Sequence, residues 1–261
     1  MHLHRKNNLL YWTFDNLSAC PGVVHGIFTR CGGFSGGPFA GLNVGKNGGD
    51  DPAAVAQNRQ AIAGCLGNGG LFFLSQVHGT KVIAVEDARH TPGVSGSMEA
   101  AGCPEADAAV TGIPGQMLTI QVADCQSVML HDPVKKAVAN IHAGWRGSIG
   151  GIVGRCVDEL KNRFGVNPST LVCGIGPSLG PCCAEFIHHE TEIPAQFRKY
   201  KDEKDRFNFW QITHDQLVEK GVDAAGIEWS NLCTRCNTHL FYSYRQAGTT
   251  GRFAAVIGLA G

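Results

Sequence analysis

The sequence predicts an α+β architecture of mixed β-sheets flanked by helices, and three observations carry that reading. Strand-like and helix-like runs are interleaved without the regular alternation of a βαβ array. Apolar runs at 108–111, 117–122, 128–130 and 137–141 follow one another so closely that they read as a central sheet. Thirty-five glycines among 261 residues are spread along the chain, which calls for many tight turns folded onto a rigid scaffold.

Taken in order, the run 23–29 is a strand, and Cys31-Gly32-Gly33 opens a glycine-rich loop. Asp50 and Asp51 stand before Pro52, and Val55, Ile62 and Leu66 recur at helical spacing, so 51–66 is a helix. Runs 71–77 and 81–85 are short strands with His78 at the turn between them. Residues 89–104, rich in Gly, Ser, Ala and Pro, predict a surface loop. Beyond the central strands His142 closes the run 137–141. After a glycine turn, Ile149, Ile152, Val153, Cys156, Val157, Leu160 and Phe164 mark one face of a helix. A strand at 171–175, helical material over 183–220 and closing strands at 239–244 and 252–258 complete the prediction. We read 1–261 as a single catalytic domain in which 1–22 is an N-terminal extension.

Lys plus Arg and Asp plus Glu both number 22, which leaves no net field to attract nucleic acid or an anionic membrane. Neither is expected as a partner. The positive start Met1-His2-Leu3-His4-Arg5-Lys6 is broken by Asn7, Asn8 and Asp15 before any signal-peptide run, and no transmembrane stretch follows. A cytoplasmic chain with mostly reduced thiols is the expectation for its eleven cysteines, an odd number without a regular framework.

His78, Cys125 and His142 fall at the ends of predicted strands. Imidazole and thiolate together favour zinc, and three protein ligands with a fourth position for water compose a catalytic zinc site. The same residues allow a cysteine nucleophile, Cys125, with His142 or His78 as base. Asp124 points away from Cys125 if the backbone is extended there. Cys233-Thr234-Arg235-Cys236 has redox or half-zinc spacing, but no second pair is evident to complete a four-cysteine site, and ordinary thiols are the expectation. Cys182-Cys183 reads as a turn with one thiol buried. Gly174-Ile175-Gly176-Pro177 lacks the third glycine of a dinucleotide fingerprint, and the loops Gly32-Gly33 and Gly36-Gly37 lack the Lys-Ser/Thr of a P-loop. Arg30, Arg59, Arg146, Arg245 and Arg252 lie by glycine-rich turns or on a helix leading from one, where a guanidinium can grip an oxyanion. His2-Leu3-His4 has a copper-like form, but the other His-rich segments of a multicopper centre are missing, so copper is not expected.

Together these residues form an ordered set of motifs. His25-Gly26-Ile27-Phe28-Thr29-Arg30, Leu42-Asn43-Val44-Gly45, Asn58-Arg59, Gln76-Val77-His78-Gly79, Ala123-Asp124-Cys125, His142-Ala143-Gly144-Trp145-Arg146-Gly147, Gly174-Ile175-Gly176-Pro177 and Thr250-Gly251-Arg252 resemble the YfiH-type laccase-domain family. That family is often labelled polyphenol oxidase and is now described as purine nucleoside phosphorylase. The resemblance runs from about residue 23 to the C-terminus and implies a YfiH-like, cysteine-hydrolase-type fold, related to a toxin deamidase domain. It implies one zinc ion per chain on His78, Cys125 and His142. It also implies phosphorolysis of adenosine, guanosine, inosine and methylthioadenosine with phosphate as co-substrate, and deamination of adenosine. Ser127, Ala184 and Gln246 depart from the family's usual residues and bear on substrate preference, not on the metal. Asn43 and Arg59 are the candidate contacts to nucleoside or phosphate. A metal-independent cysteine hydrolase on Cys125 and His142 is the rival reading; a copper phenol oxidase ranks below both.

Overall fold

The computed structural model describes residues 1–67, 69–86 and 102–261. Strands β1 (His2–Lys6), β2 (Leu9–Thr13), β3 (Val23–Phe28), β4 (Gly70–Phe73), β5 (Val82–Ala84), β6 (Ala108–Thr111), β7 (Gln116–Val122), β8 (Gln126–Asp132), β9 (Ala137–Ala143), β10 (Val172–Ile175), β11 (Ile227–Trp229) and β12 (Phe253–Leu259) build two six-stranded sheets. One runs β1-β2-β3-β12-β7-β4 and the other β11-β10-β8-β9-β6-β5. Both are mixed: the pairs β4–β7, β5–β6 and β10–β11 are parallel and the rest antiparallel. The helices are α1 (Asp15–Ser18), α2 (Pro52–Cys65), α3 (Trp145–Ile149), α4 (Ile152–Phe164), α5 (His189–Glu192), α6 (Phe209–Glu219) and α7 (Tyr244–Ala247).

The apolar clusters show how these elements stack. Ile27, Leu118, Ile120, Ala255 and Ile257 of the first sheet meet Ala109, Met129 and Val138 of the second in one core between the sheets. Buried Asn140 reaches across that core and donates to the carbonyls of Leu118 and Ala255, both at 2.9 Å, which locks the two sheets in register. The outer face of the first sheet is covered by α2, through Ile62 and Ala63 against Leu71, Phe73 and Val256. The outer face of the second carries α4 and α6, through Ile152, Val153, Cys156, Leu160 and Leu217. Four layers result, helix, sheet, sheet and helix, so strands such as β8, β9 and β12 are buried on both faces.

Local signals set several boundaries. Asp51 accepts from the Ala53 N–H at 3.0 Å and caps α2, with Pro52 in its first turn. The predicted helix from 149 is divided: α3 ends at Gly150, Gly151 at φ 76° turns the chain, and α4 runs to Gly165 at φ 65°. Between 183 and 220 only α5, one 3-10 stretch (Ala195–Tyr200) and α6 are regular. The predicted strand at 239–244 is not formed. Leu240 and Phe241 hydrogen-bond back to Asn237 in a turn, and Ser243 caps α7, because Asn237 and Ser243 offer the backbone local partners. The short parallel strand β11 carries no periodic signal in the sequence. Most of the predicted loop at 89–104 lies outside the described residues. The first 22 residues supply β1, β2 and α1, with Phe14 and Leu17 fully buried. Among the described residues no helix is long and apolar enough to cross a membrane.

Candidate active site

The chain passes from the first sheet to the second twice, after β4 and after β7. Each passage carries one predicted site residue. His78 lies on the link from β4 to β5, in a left-handed backbone conformation with φ 61°. Cys125 follows Ala123 and Asp124 on the link from β7 to β8, where Asp124 turns the chain at φ 93°. The β8–β9 register pairs Gln126 with Ala143 and Ser127 with His142, so Cys125 falls opposite Gly144, beside the end of β9 that bears His142. Sequence-distant residues thus converge: one donor atom from each of His78, Cys125 and His142 lies within 4.8 Å of the others.

A buried carboxylate absent from the sequence reading organises this convergence. Asp107, fully buried just before β6, accepts from the Nδ1–H of His142 at 2.8 Å. It also accepts the backbone N–H groups of His78 at 2.9 Å and Gly79 at 2.7 Å. Burial alone would raise the Asp107 carboxyl; the His142 ring and the N–H groups of Gly79 and His78 outweigh it and hold the group below its ordinary range. The only signal available in the sequence was one acid leading into the apolar run 108–111, where an unpartnered charge would be costly.

With Nδ1 committed to Asp107, His142 presents Nε2 to the cluster. The His78 and His142 rings meet edge to face at 4.9 Å. Burial opposes ionisation of Cys125, yet the neighbouring His142 and His78 draw its thiol down to about 6. Burial likewise opposes a charged His142, and Cys125 and Asp107 together push it up to about 9. Gly144 leaves room for the three side chains. A Cβ there would stand 3.0 Å from His78 Cδ2, 3.3 Å from Cys125 Sγ and 3.8 Å from His142 Cε1. Two imidazoles, a thiolate-prone sulfur and a space bounded by all three fit a divalent transition metal of zinc type.

The triad opens into a cavity of about 990 Å³, at the upper end of the range of small-molecule sites. Among the described residues Lys46, Arg59, Arg146, Arg245 and Arg252 line it against a single acid, Asp124, so this described wall is cationic although the chain is neutral overall. Phe39, Trp145, Phe186, Phe209 and Tyr244 supply aromatic faces. Arg59 gives two donors to the Val44 carbonyl and lies over the Phe73 ring at 3.8 Å. Burial pulls its guanidinium down to about 10. Asn43 is 1 % exposed and turned inward. Its amide donates to Gly45 O and Asp50 Oδ2, and its oxygen accepts from the N–H groups of Gly45 and Arg252. Asp124 faces away from the triad, accepting from Thr234 Oγ1 at 2.6 Å and the Arg245 N–H at 2.6 Å. Of the remaining arginine candidates, Arg30 is tied to the carbonyls of Thr238 and Ala40.

Two cysteine expectations are corrected. Cys233 and Cys236 do meet a second pair, Cys182 and Cys183, because the fold apposes the turns that bear them. Neither Cys182 nor Cys183 is buried; the first is exposed and the second half-buried.

Two six-stranded mixed sheets meet at a His, Cys, His cluster that opens into a cationic, aromatic-walled cavity, which defines an α+β protein with a small-molecule pocket. The sequence model of a family described as "Multi-copper polyphenol oxidoreductase laccase" matches residues 24–260. Among curated relatives, a purine nucleoside phosphorylase of Deinococcus radiodurans is 37% identical, over 91% of this chain and 89% of its own. Purine nucleoside phosphorylase YfiH of Escherichia coli is 31% identical, over 91% and 94%. The crystal structure of YlmD from Geobacillus stearothermophilus superposes with a TM-score of 0.86 at 30% identity, covering 99% of both chains. The chain belongs to this laccase-domain family of YfiH and YlmD proteins.

Proposed function

We propose that this protein is a zinc-dependent purine nucleoside phosphorylase that also deaminates adenosine. One observation carries the reading: His78, Cys125 and His142 converge at a cavity whose wall combines five cationic side chains with five aromatic ones. The names of the relatives support the substrate class. Purine rings stack on aromatic faces, and phosphate calls for guanidinium and ammonium donors. In phosphorolysis a phosphate oxygen forms a bond to C1′ of the ribose as the bond from C1′ to the purine nitrogen breaks, and the purine leaves with a proton. The cationic wall holds the phosphate for that attack, Arg59 among its donors, and Asn43 fixes the turn that bears Gly45 and the backbone of Arg252. Asp107 keeps the proton on His142 Nδ1, which fixes the tautomer and orientation of that ring, and it holds the backbone of His78. His78, Cys125 and His142 would hold a zinc ion, which would supply Lewis acidity for both reactions. Two imidazoles and one thiolate form the mixed N/S donor set that suits zinc, which supports zinc over a copper oxidase centre.

One feature favours a second reading. Metal-free Cys125, with its thiol drawn down beside His142, is also the pairing of a cysteine hydrolase. The deciding experiment incubates metal-quantified protein with adenosine, with and without phosphate, and follows adenine and inosine by chromatography beside His78→Ala, Cys125→Ala and His142→Ala. Adenine formed only with phosphate, inosine in either case, and loss of both in the variants are expected. Turnover of no nucleoside by a zinc-loaded protein overturns the proposal, and a trapped acyl adduct on Cys125 installs the hydrolase reading.

A further inference from the structure

The second cysteine cluster lies outside the cavity lining and has no part in the chemistry above. Cys182 and Cys183 occupy a turn directly after Ser178-Leu179-Gly180-Pro181, and Cys233 and Cys236 the turn that follows Leu232. The two turns are joined backbone to backbone, Ser178 N–H to Leu232 O at 3.2 Å and Thr234 N–H to Ser178 O at 2.9 Å. This pairing brings all four Sγ atoms within 4.8 Å of one another. Cys236 Sγ lies 3.6 Å from both Cys182 Sγ and Cys183 Sγ.

These distances have a chemical meaning. A tetrahedron with zinc–sulfur bonds of about 2.3 Å has edges of about 3.8 Å between its sulfurs. A disulfide would require about 2.05 Å. The two separations from Cys236 Sγ are close to that edge and far longer than a disulfide bond, and all four sulfurs lie near enough to share one ion. Cys233 Sγ accepts the Gly180 N–H at 3.3 Å, the kind of backbone donor that stabilises a metal-bound thiolate. The Arg206 guanidinium, paired with Asp202 at 2.7 Å, also donates to the Cys182 carbonyl at 3.3 Å and fixes the backbone of that turn. Cys182 and Cys236 are exposed, which leaves a path for the ion to enter.

We propose that Cys182, Cys183, Cys233 and Cys236 form a second, structural metal site for a thiophilic divalent ion, zinc first among them. Four protein ligands close the coordination sphere, so the site carries no substrate. Binding releases the thiol protons to solvent and ties together two turns some fifty residues apart in the chain. Both turns hold the segment preceding Cys125: Leu179 N–H donates to Asp124 O at 2.8 Å, and Thr234 Oγ1 donates to Asp124 Oδ1 at 2.6 Å. The metal thus braces one wall of the cavity. The inference rests on the cysteine geometry alone and does not depend on the proposed reaction.

The test is metal analysis of full-length protein purified under anaerobic conditions, equilibrated with zinc and freed of excess by gel filtration. The wild type is compared with Cys182→Ser/Cys236→Ser and with His78→Ala/Cys125→Ala/His142→Ala. About one zinc per chain retained by the His/Cys variant and lost from it when the cysteine substitutions are added is the expected result. If the cysteine variant fails to fold, cobalt(II) loaded into the His/Cys variant decides, since tetrahedral thiolate coordination gives an intense sulfur-to-cobalt charge-transfer band. A His/Cys variant that takes up neither ion overturns the proposal, as does a disulfide from Cys236 to Cys182 or Cys183 in protein never exposed to oxidant. A wild type whose only zinc is lost with the cysteine substitutions upholds this site and instead removes the metal from the proposed active centre.

Discussion

Asp107 and His142 are joined twice, by the carboxylate accepting the imidazole Nδ1–H at 2.8 Å and by the Asp107 carbonyl accepting the His142 backbone N–H at 2.7 Å. The same carboxylate takes the N–H groups of His78 and Gly79, so one buried acid sets two of the three donors. Asp107→Asn places an amide N–H against one of those backbone donors. Metal affinity is expected to fall about 10- to 100-fold, with a loss of about 1–3 kcal/mol in stability. A zinc competition titration beside a urea melt measures both; unchanged affinity in a folded variant means that Asp107 does not position the site.

Gly144 is tested by a single methyl group. Its φ of −69° and ψ of 164° suit alanine, so Gly144→Ala acts only through the Cβ that would crowd His78 and Cys125. The variant is expected to fold, to bind zinc at least 10-fold more weakly, and to lose nucleoside turnover in proportion. Gly36→Ala is the control, with no atom near its Cβ and φ at −120°. Its stability is expected within about 0.5 kcal/mol of the wild type.

Arg59 and Asn43 separate ligand binding from scaffolding. Arg59→Ala is expected to raise the KM for phosphate about 10-fold or more, as loss of a charge-assisted contact does, with a smaller change for adenosine. Asn43→Ala is expected to lower the melting temperature, because it leaves the N–H groups of Gly45 and Arg252 without their acceptor. A phosphate KM that Arg59→Ala leaves unchanged removes that residue from the binding site.

Acid sensitivity is expected from His25, which is 5 % exposed and accepts the Phe14 N–H through Nε2 at 2.8 Å. Burial pushes its folded pKa down to about 4, below the ordinary value of about 6.5. The unfolded chain therefore takes up the proton first. The contribution is fully present above about pH 6.5 and is lost as pH falls toward 4, by at most about 3 kcal/mol. Urea denaturation at pH 7 and pH 4.5 is expected to show a loss about 2 kcal/mol larger for the wild type than for His25→Gln. Equal losses in the two proteins exclude His25 as a source of the acid sensitivity.

Much of this molecule is legible in its sequence wherever the physics is local. Asp51 before Pro52 announces α2, the apolar runs around 108–141 announce the inner strands, and motif residues in order announce the family. His78, Cys125 and His142 stand out among eleven histidines and eleven cysteines because each sits at a predicted strand end and within a motif of the family. The strand predicted at 239–244 failed because Asn237 and Ser243 satisfy the backbone locally, a competition that apolar periodicity does not register. The helix predicted from 149 was divided by Gly151, whose left-handed turn is a single-residue event inside a convincing amphipathic pattern.

The sequence by itself determined the class of fold, the family and the residue types of the centre, because periodicity, capping and motif order are properties of neighbouring residues. Only the tertiary structure decided that Asp107 orients His142, that Asn43 ties its loop to the backbone of Arg252, and that Cys182 and Cys183 meet Cys233 and Cys236. Each of these depends on contacts between residues far apart in the chain, brought together by crossings between the sheets or by apposed turns. Distances of that kind follow from strand register and sheet packing, and no local pattern in the sequence encodes them.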